Sequence, residues 1–468
     1  MNWTGWPPKS PGSFDGIMKN RLSLKIGISG VRGVVGDSLT PQLAARFAAA
    51  FGTYIGGGRV AVGRDARTSG DMLMNAVFSG LLASGCQPVA IGICPIPSAL
   101  VFTKQSRASG GMMVTASHNP EEWNGLKFLG DRGLYLTASE VEELLDIYHQ
   151  GEFSFADAEH HHPILREENP CLPHLDRLLA QLDVKAIRKK RFRVAADCAN
   201  GAGSILLPSF LEALGCETVF MNAAPDGTSA HPSEPVPENL TGLCRLVKAE
   251  RADIGFAQDA DADRLAVIDE RGRALGEEMT LALAVKHVLV REPGPVVVNL
   301  STTRAIDDLA AGAKVPVFRT KIGEINVVEE VLSRKASIGG EGNGGVIWPK
   351  VHPCRDSFAA MGLILESLTA SGKSVSALRR EIPSYIMIKD KVEGTPEEAH
   401  RSLGRLRREF AKEYISTIDG LKITFGDSWV HIRPSNTEPV IRILAEAPTA
   451  VQARRLIGRF KNALVAGI

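Results

Sequence analysis

A cluster of three aspartates between two short apolar runs constrains the fold of this chain more than any other feature. Asp259, Asp261 and Asp263 alternate with alanines, with residues 254–257 before them and residues 265–268 after them. Both apolar runs are typical of buried strands, which would hold the loop at both ends. Three carboxylates so close together repel one another unless a cation neutralises them. Because hard oxygen ligands favour Mg²⁺, the pattern predicts a magnesium site on a loop between two strands.

Three other interpretations of this loop are possible. A calcium loop of the EF-hand type would use Glu270 at its twelfth position. It fails because Arg264 occupies the position that requires glycine and the flanks are strands rather than helices. A solvated acidic turn needs no metal and stays open. In the third interpretation, Asp259 is the nucleophile of an aspartyl-phosphate phosphatase.

A second loop places a serine beside a histidine. Residues 115–120 read Thr-Ala-Ser-His-Asn-Pro and follow the apolar run 111–114, which predicts a short buried strand. Ser117, with His118 next to it and Lys127 close behind, is suited to phosphoryl or acyl chemistry. A hydrogen-bonded turn without catalytic function is the alternative for these residues alone.

Two further loops complete a pattern of four. Residues 339–345 read Gly-Gly-Glu-Gly-Asn-Gly-Gly, and residues 433–439 read Arg-Pro-Ser-Asn-Thr-Glu-Pro. In this order, the four loops resemble the phosphoserine, metal, sugar-recognition and phosphate-binding loops of the α-D-phosphohexomutase superfamily. Its members include phosphoglucomutases, phosphomannomutases and phosphoglucosamine mutases. The resemblance runs from about Ile26 to the C-terminus.

The resemblance implies an α/β fold of four domains around a central cleft. Three would be similar mixed-sheet α/β domains, and the fourth a smaller α+β domain. Alternating short strands and helices in the first part of the chain agree with an α/β architecture. We expect a disordered extension over residues 1–19, where Met18 is an alternative start to Met1. The predicted domain boundaries are 20–165, 166–268, 269–375 and 376–468.

The resemblance also implies the chemistry. Ser117 would carry a phosphoryl group and act as a metal ligand together with the three aspartates, and a hexose 1,6-bisphosphate would be the intermediate and activator. Lys127 is either the base for the substrate hydroxyl or a protonated phosphate clamp, and His118 would orient the serine loop. Arg32, in a glycine-rich turn, matches an active-site arginine, although a plain turn is its alternative. The predicted substrate-binding residues are Arg264, Glu324, Glu341, Asn343, Arg433, Ser435, Asn436 and Thr437.

Two departures from the family pattern concern the sugar. Glu324 lies where phosphomannomutase/phosphoglucomutase enzymes carry a histidine and where phosphoglucosamine mutases usually place an acidic residue. The loop Gly-Glu-Gly-Asn-Gly-Gly at 340–345 replaces forms that read Gly-Glu-(Met, Tyr or Gln)-Ser-Gly-His. We therefore expect interconversion of glucosamine 6-phosphate and glucosamine 1-phosphate, with contact between Glu324 and the amine as a conjecture. The alternative is a phosphomannomutase/phosphoglucomutase of broad specificity.

Composition limits the partners. Lys plus Arg (54) nearly balances Asp plus Glu (53), and no apolar run is long enough to span a membrane. Neither nucleic acid nor membrane is therefore expected as a partner, and the expected ligand is a small sugar phosphate. Seven scattered cysteines without a Cys-x-x-Cys pair suit a reducing cytoplasm. A monomer and a homodimer both stay open, as does a non-catalytic sugar-phosphate-binding protein.

Overall fold

The computed structural model describes residues 24–28, 30–228, 231–435 and 440–465. The predicted extension 1–19, with the question of Met1 or Met18, lies outside the described residues, and so do Asn436 and Thr437 of the predicted phosphate-binding loop.

The first region is built on a seven-stranded sheet with the order β1-β2-β6-β5-β3-β4-β7. The Thr40 side chain caps the N-terminus of the helix that begins at Pro41. Its strands are β1 Lys25–Gly27, β2 Gly30–Val34, β3 Gly58–Arg64, β4 Cys86–Ile93, β5 Gly110–Val114, β6 Trp123–Gly130 and β7 Leu165–Arg166. Its helices are α1 Pro41–Ile55, α2 Gly70–Ala83, α3 Ile96–Gln105 and α4 Ala138–Gln150.

The second and third regions each contain a four-stranded sheet. The elements of the second are α5 Leu172–Gln181, α6 Val184–Lys190, β8 Arg193–Asp197, a 3₁₀ turn Ala202–Ile205, α7 Leu207–Ala213, β9 Glu217–Met221, a 3₁₀ turn Pro237–Asn239, α8 Thr241–Ala249, β10 Ile254–Gln258 and β11 Leu265–Ile268. The elements of the third are α9 Glu277–Arg291, β12 Val296–Asn299, α10 Ala305–Gly312, β13 Val317–Thr320, α11 Glu324–Arg334, β14 Ile338–Glu341, β15 Gly345–Ile347, α12 Ser357–Ser371 and α13 Val375–Arg380.

The fourth region is a five-stranded antiparallel sheet with the order β16-β20-β19-β18-β17, accompanied by two helices. Its elements are β16 Ile386–Glu393, α14 Pro396–Glu409, β17 Tyr414–Ser416, β18 Leu421–Phe425, β19 Ser428–Pro434, β20 Val440–Ala447 and α15 Ala450–Val465. The predicted α+β character of the C-terminal part is confirmed. The exact domain boundaries stay a prediction.

The first three sheets share one topology. They contain the strand orders β6-β5-β3-β4, β11-β10-β8-β9 and β15-β14-β12-β13. In each, the first three strands in the chain are parallel and the fourth is antiparallel to the third. The loop between the third and fourth strands carries Ser117 in the first sheet, the aspartates in the second and Asn343 in the third. Three functional loops therefore occupy the same position in three similar domains, which confirms the predicted similarity.

A buried polar chain ties the three similar domains together. The His174 ring lies 2.9 Å from Ser98 Oγ through Nδ1 and 2.8 Å from Asp356 Oδ2 through Nε2. Asp356 also caps α12, whose residues are mostly buried between the second and third sheets. Because buried hydrogen bonds are costly to break, these two contacts fix how the functional loops of the three domains face one another. Within the described ranges, no helix is both long and apolar enough to cross a membrane.

Candidate active site

The serine loop holds Ser117 in a strained backbone conformation. Ser117 has a φ of 54°, in the left-handed region that serine rarely adopts, and it is buried. Its backbone N–H donates to Thr115 Oγ1 across 2.9 Å. Strain of this kind persists only where surrounding contacts enforce it, and it is common at active sites.

Arg67 supplies those contacts. Its guanidinium donates to the backbone carbonyls of Ser117, Asn119 and Pro120 at 2.6–2.7 Å. Its Nε donates to Asp65 Oδ2 at 3.1 Å, and the same oxygen accepts from the Thr115 hydroxyl at 2.6 Å. These hydrogen bonds give Arg67 a positioning role in the serine loop.

The structure brings the serine loop and the aspartate loop together. Ser117 Oγ lies 3.3 Å from Asp259 Oδ2, although the two residues are 142 positions apart. One carboxylate oxygen from each of Asp259, Asp261 and Asp263 lies within 4.8 Å of the others, and all three residues are fully buried. The loop is therefore not a solvated acidic turn, because none of its three carboxylates is exposed to solvent.

Each aspartate has one oxygen held by backbone N–H groups or by a cationic side chain. Asp259 Oδ1 accepts from the backbone N–H groups of Asp263 and Arg264, both at 3.1 Å. Asp261 Oδ2 accepts from Lys127 at 2.8 Å, and Asp263 Oδ2 accepts from Arg355 at 2.6 Å. Within the described residues, Asp261 Oδ1 and Asp263 Oδ1 are buried without a hydrogen-bond partner. Two orphaned oxygens beside Asp259 Oδ2 and the serine hydroxyl fit a hard divalent cation.

The electrostatics of the aspartate cluster also favour a bound cation. Burial and repulsion from Asp263 and Asp261 raise the pKa of Asp259 well above its usual value. Burial alone would raise the pKa of Asp261 too, but the neighbouring Lys127 ammonium lowers it below the usual range. A bound cation would remove the repulsion that raises the pKa of Asp259.

Lys127 reaches the cluster from β6. Its Nζ pairs with Asp261 Oδ2, lies 3.4 Å from the Tyr135 hydroxyl, and is 4% exposed. This contact places Lys127 beside the aspartate cluster, where it could serve either as the base for the substrate hydroxyl or as the phosphate clamp.

His118 and Arg32 flank the serine. His118 Nδ1 lies 3.4 Å from Ser117 Oγ. Burial and the nearby Arg264 lower the pKa of His118 to about 3, so the ring is neutral at physiological pH. Arg32 donates to Asn119 Oδ1 at 2.8 Å, which places its guanidinium on the serine loop. Arg264 lies 3.7 Å from Asp263 Oδ1 and 3.9 Å from Asp259 Oδ2.

The sugar-recognition loop is organised by Arg355, a residue that the sequence did not single out. Arg355 Nη1 donates to Glu341 Oε2 at 3.0 Å, and its Nε donates to Glu324 Oε2 at 3.0 Å. Its backbone N–H donates to Glu324 Oε1 at 2.8 Å. Both oxygens of Glu324 are thus occupied inside the protein, so the structure gives this carboxylate a partner other than the conjectured sugar amine.

Glu341 and Asn343 line a cavity of about 540 Å³ between the third and fourth sheets. Glu341 Oε1 accepts from Asn299 Nδ2 at 2.9 Å and from the Gly323 N–H at 3.1 Å. Asn343 Oδ1 accepts from the Gly345 N–H at 3.2 Å, which leaves its amide group for a ligand.

The opposite wall of this cavity is cationic. Arg433 and Arg442 are direct partners on β19 and β20, and Arg442 is the partner of Lys391 on β16. All three line the cavity. Like charges directly opposite one another destabilise a sheet, so the row is suited to an anion such as phosphate. Ser435 ends the described part of this loop, where its N–H donates to the Val440 carbonyl.

Three residues were missed by reasoning from sequence: Arg355, Lys391 and Glu278. Arg442 was a less certain candidate from the sequence, since it lies on the strand after the phosphate-binding loop and is the one charged residue in the apolar run 440–444. Arg355 and Glu278 had no local signal, because their roles depend on contacts between distant segments.

Comparisons with known proteins agree with this geometry. The chain matches all four parts of the phosphoglucomutase/phosphomannomutase family: alpha/beta/alpha domain I over 23–155, domain II over 173–272, domain III over 277–385 and the C-terminal domain over 388–463.

Individual relatives are similar over nearly their whole length. A probable phosphoglucosamine mutase of Methanopyrus kandleri is 38% identical over 93% of this chain and 96% of the relative. A phosphoglucomutase/phosphomannomutase of Thermococcus kodakarensis is 41% identical over 92% of this chain and 96% of the relative. The crystal structure of a family protein from Burkholderia thailandensis superposes with a TM-score of 0.80 at 26% identity, covering 94% of this chain and 96% of that one.

Proposed function

The chain belongs to the phosphoglucomutase/phosphomannomutase family, and on that premise we propose that it interconverts glucosamine 6-phosphate and glucosamine 1-phosphate through a phosphoserine. It is a phosphohexomutase, an intramolecular phosphotransferase. The observation that carries the proposal is the 3.3 Å approach of the Ser117 hydroxyl to a buried, incompletely satisfied aspartate cluster.

Ser117 would hold the phosphoryl group in the resting enzyme. In the first transfer, the bond between phosphorus and Ser117 Oγ breaks, and a bond to the free sugar hydroxyl forms. The hydroxyl proton leaves to a base, for which Lys127 is one candidate; its alternative role is that of a phosphate clamp. The product is a hexose 1,6-bisphosphate. The sugar then turns over, its other phosphoryl group passes from the sugar oxygen to Ser117 Oγ, and that sugar oxygen takes back the proton.

Asp259, Asp261 and Asp263, together with Ser117, would hold Mg²⁺ through the oxygens that the protein leaves free. When bound, this cation supplies positive charge that stabilises the transferring phosphoryl group. Arg32 and Arg264 would add fixed hydrogen-bond donors for the transferring phosphoryl group. Neutral His118 would orient the serine loop through its contact with Ser117.

The other phosphate has to be held in both orientations of the sugar. Arg433, Arg442 and Lys391 lie on that wall, and Lys389, which pairs with Glu277, also lines the cavity. We propose that Ser435, Asn436 and Thr437 complete the site. Glu341 and Asn343 would bind sugar hydroxyls between the two phosphates. Glu324 would act through Arg355, which it fixes against the sugar loop.

A second sugar specificity has support of its own. The Thermococcus kodakarensis relative named phosphoglucomutase/phosphomannomutase shares 41% identity with this chain, against 38% for the Methanopyrus kandleri mutase. A broad phosphomannomutase/phosphoglucomutase is therefore the alternative. For either activity we propose a cytoplasmic enzyme, which the seven free cysteines support.

Phosphorus NMR distinguishes the two. Purified enzyme with Mg²⁺ and a trace of hexose 1,6-bisphosphate is offered glucosamine 6-phosphate, glucose 6-phosphate or mannose 6-phosphate in separate tubes. We expect the fastest appearance of a 1-phosphate signal from the amino sugar. Faster conversion of glucose or mannose phosphate would move the function to the alternative.

A further inference from the structure

The glycine-rich form of the sugar-recognition loop makes room for a carboxylate from another element. A Cβ built on Gly342 would lie 2.0 Å from Glu278 Oε1, and one on Gly345 would lie 2.3 Å from Arg355 Cδ. A side chain at either position would therefore require Glu278 or Arg355 to move. Glu278, in the first turn of α9, thus presents its carboxylate where a larger residue at 342 would stand.

Glu278 accepts fewer hydrogen bonds than Glu324 and Glu341, the other two carboxylates near the proposed sugar site. Glu324 and Glu341 are both bound by Arg355, and Glu341 has two more donors. From the described residues, Glu278 receives a single hydrogen bond, from the Thr303 N–H to Oε2 at 2.9 Å. Its Oε1 lies against Gly342 and retains its capacity to accept.

The cavity that Glu278 lines is the one lined by Glu341, Asn343 and the cationic row. A single cavity therefore offers cations for a phosphate and an incompletely satisfied carboxylate for a positive group. Glucosamine phosphate carries both charges, whereas glucose phosphate and mannose phosphate carry only the negative one.

We propose that the Glu278 carboxylate binds the ammonium group of the amino-sugar phosphate and is the residue that favours this substrate over its hydroxyl counterpart. The inference rests on the proposed function, and it replaces the earlier conjecture about Glu324. A charge-assisted hydrogen bond between ammonium and carboxylate is the strong kind in a partly desolvated site.

The charge state of Glu278 fits this role. Burial raises the pKa of Glu278 to about 8, against the lowering effect of the Thr303 N–H. A pKa of about 8 favours the protonated carboxyl group at neutral pH. An ammonium group placed against it favours the ionised form, and a sugar hydroxyl gives much less of this stabilisation.

Binding measured without turnover tests the proposal. In a Ser117→Ala background, calorimetry gives Kd for glucosamine 6-phosphate and for glucose 6-phosphate. We expect the parent to bind glucosamine 6-phosphate more tightly, so that Kd for glucose 6-phosphate divided by Kd for glucosamine 6-phosphate is above one. Glu278→Gln should lower this ratio about tenfold, which is the loss expected for one charged hydrogen bond.

Gly342→Ala is the independent variant. Its backbone φ is not in the left-handed region, and its Cβ would push the Glu278 carboxylate aside, so the ratio should fall in the same direction.

Three outcomes would overturn the proposal: no preference in the parent, an unchanged ratio in Glu278→Gln, or a change of the ratio in a matched Glu324→Gln variant alone. These results are separable from a failure of the proposed function. If the wild-type enzyme does not convert glucosamine 6-phosphate, the proposed function is wrong. If it does, and Glu278→Gln leaves the ratio unchanged, only the role of Glu278 is wrong.

Discussion

Arg355 Nη2 lies 2.6 Å from Asp263 Oδ2, so the aspartate loop and the sugar-recognition loop share one guanidinium. The same side chain pairs with Glu324 and Glu341, each at 3.0 Å. It therefore neutralises part of a buried group of three carboxylates and sets the distance between the metal site and the sugar site.

Removing this cation should destabilise the protein strongly. Arg355→Met leaves three buried carboxylates unpaired, and we expect a loss of about 3–5 kcal/mol in the free energy of unfolding, measured by urea denaturation. The matched control is Arg334→Met, which breaks an exposed pair with Glu330 on α11 and should cost less than about 1 kcal/mol. Similar losses in the two variants would show that Arg355 is not an organising residue.

The metal site can be tested through Asp259. In metal-free protein, Asp259→Asn removes a carboxylate whose pKa is raised by burial and by its two neighbours. We expect the Tm of the metal-free variant to equal or exceed that of the metal-free wild type. Mg²⁺ should then raise the Tm of the wild type but not of the variant, since only binding to the folded state stabilises it. An equal Mg²⁺ response in both proteins would contradict the assignment.

The row of Lys391, Arg442 and Arg433 across β16, β20 and β19 should strengthen phosphate binding and lower the stability of the ligand-free protein. Arg442→Ala relieves repulsion from Arg433 and Lys391, which should stabilise the ligand-free protein by about 0.2–1 kcal/mol. It should also raise KM for the sugar phosphate by about tenfold, because one charged phosphate contact is lost. A lower Tm together with an unchanged KM would show that Arg442 is a structural residue only.

His431 should make stability depend on pH. Its Nε2 donates to the Asp419 carbonyl at 2.6 Å and its Nδ1 accepts from the Ser301 hydroxyl at 2.7 Å, which docks the fourth sheet on the third. Burial lowers the pKa of His431 to about 4, so the unfolded chain binds more protons below pH 6.5. The stabilisation is complete above that pH and is lost as pH falls towards 4. Between pH 7 and pH 5 the loss should be about 2 kcal/mol.

The comparison with His431→Asn isolates this effect from other titrating groups. The difference in unfolding free energy between wild type and variant should shrink by about 2 kcal/mol when denaturant titrations are repeated at pH 5 instead of pH 7. A difference that stays constant over this range would contradict a pKa of about 4 for His431.

The sequence was informative wherever local chemistry and local structure coincide. The aspartate loop could be predicted because its two flanks are apolar strands and its carboxylates need a cation. The strand before Ser117 could be predicted for the same reason, since its run is apolar and the loop that follows it is polar.

Contacts across the fold could not be predicted in this way. Glu324 was expected to face the sugar, but Arg355, 31 residues further on, occupies both of its oxygens. In the sequence, Glu278 is an acidic residue at the start of a helix, and only the folded structure shows that it lies against Gly342. The glycines at 342 and 345 were visible as departures from the family pattern, but the side chains that fill the space beside them were not.

The location of the phosphoryl group tests the central claim most directly. The enzyme is incubated with Mg²⁺ and a hexose 1,6-bisphosphate, quenched, digested and examined by mass spectrometry. We predict one phosphoryl group on the peptide that contains Ser117, and none there in Ser117→Ala. Phosphate on Asp259, with release of inorganic phosphate, would contradict the account and identify an aspartyl-phosphate phosphatase.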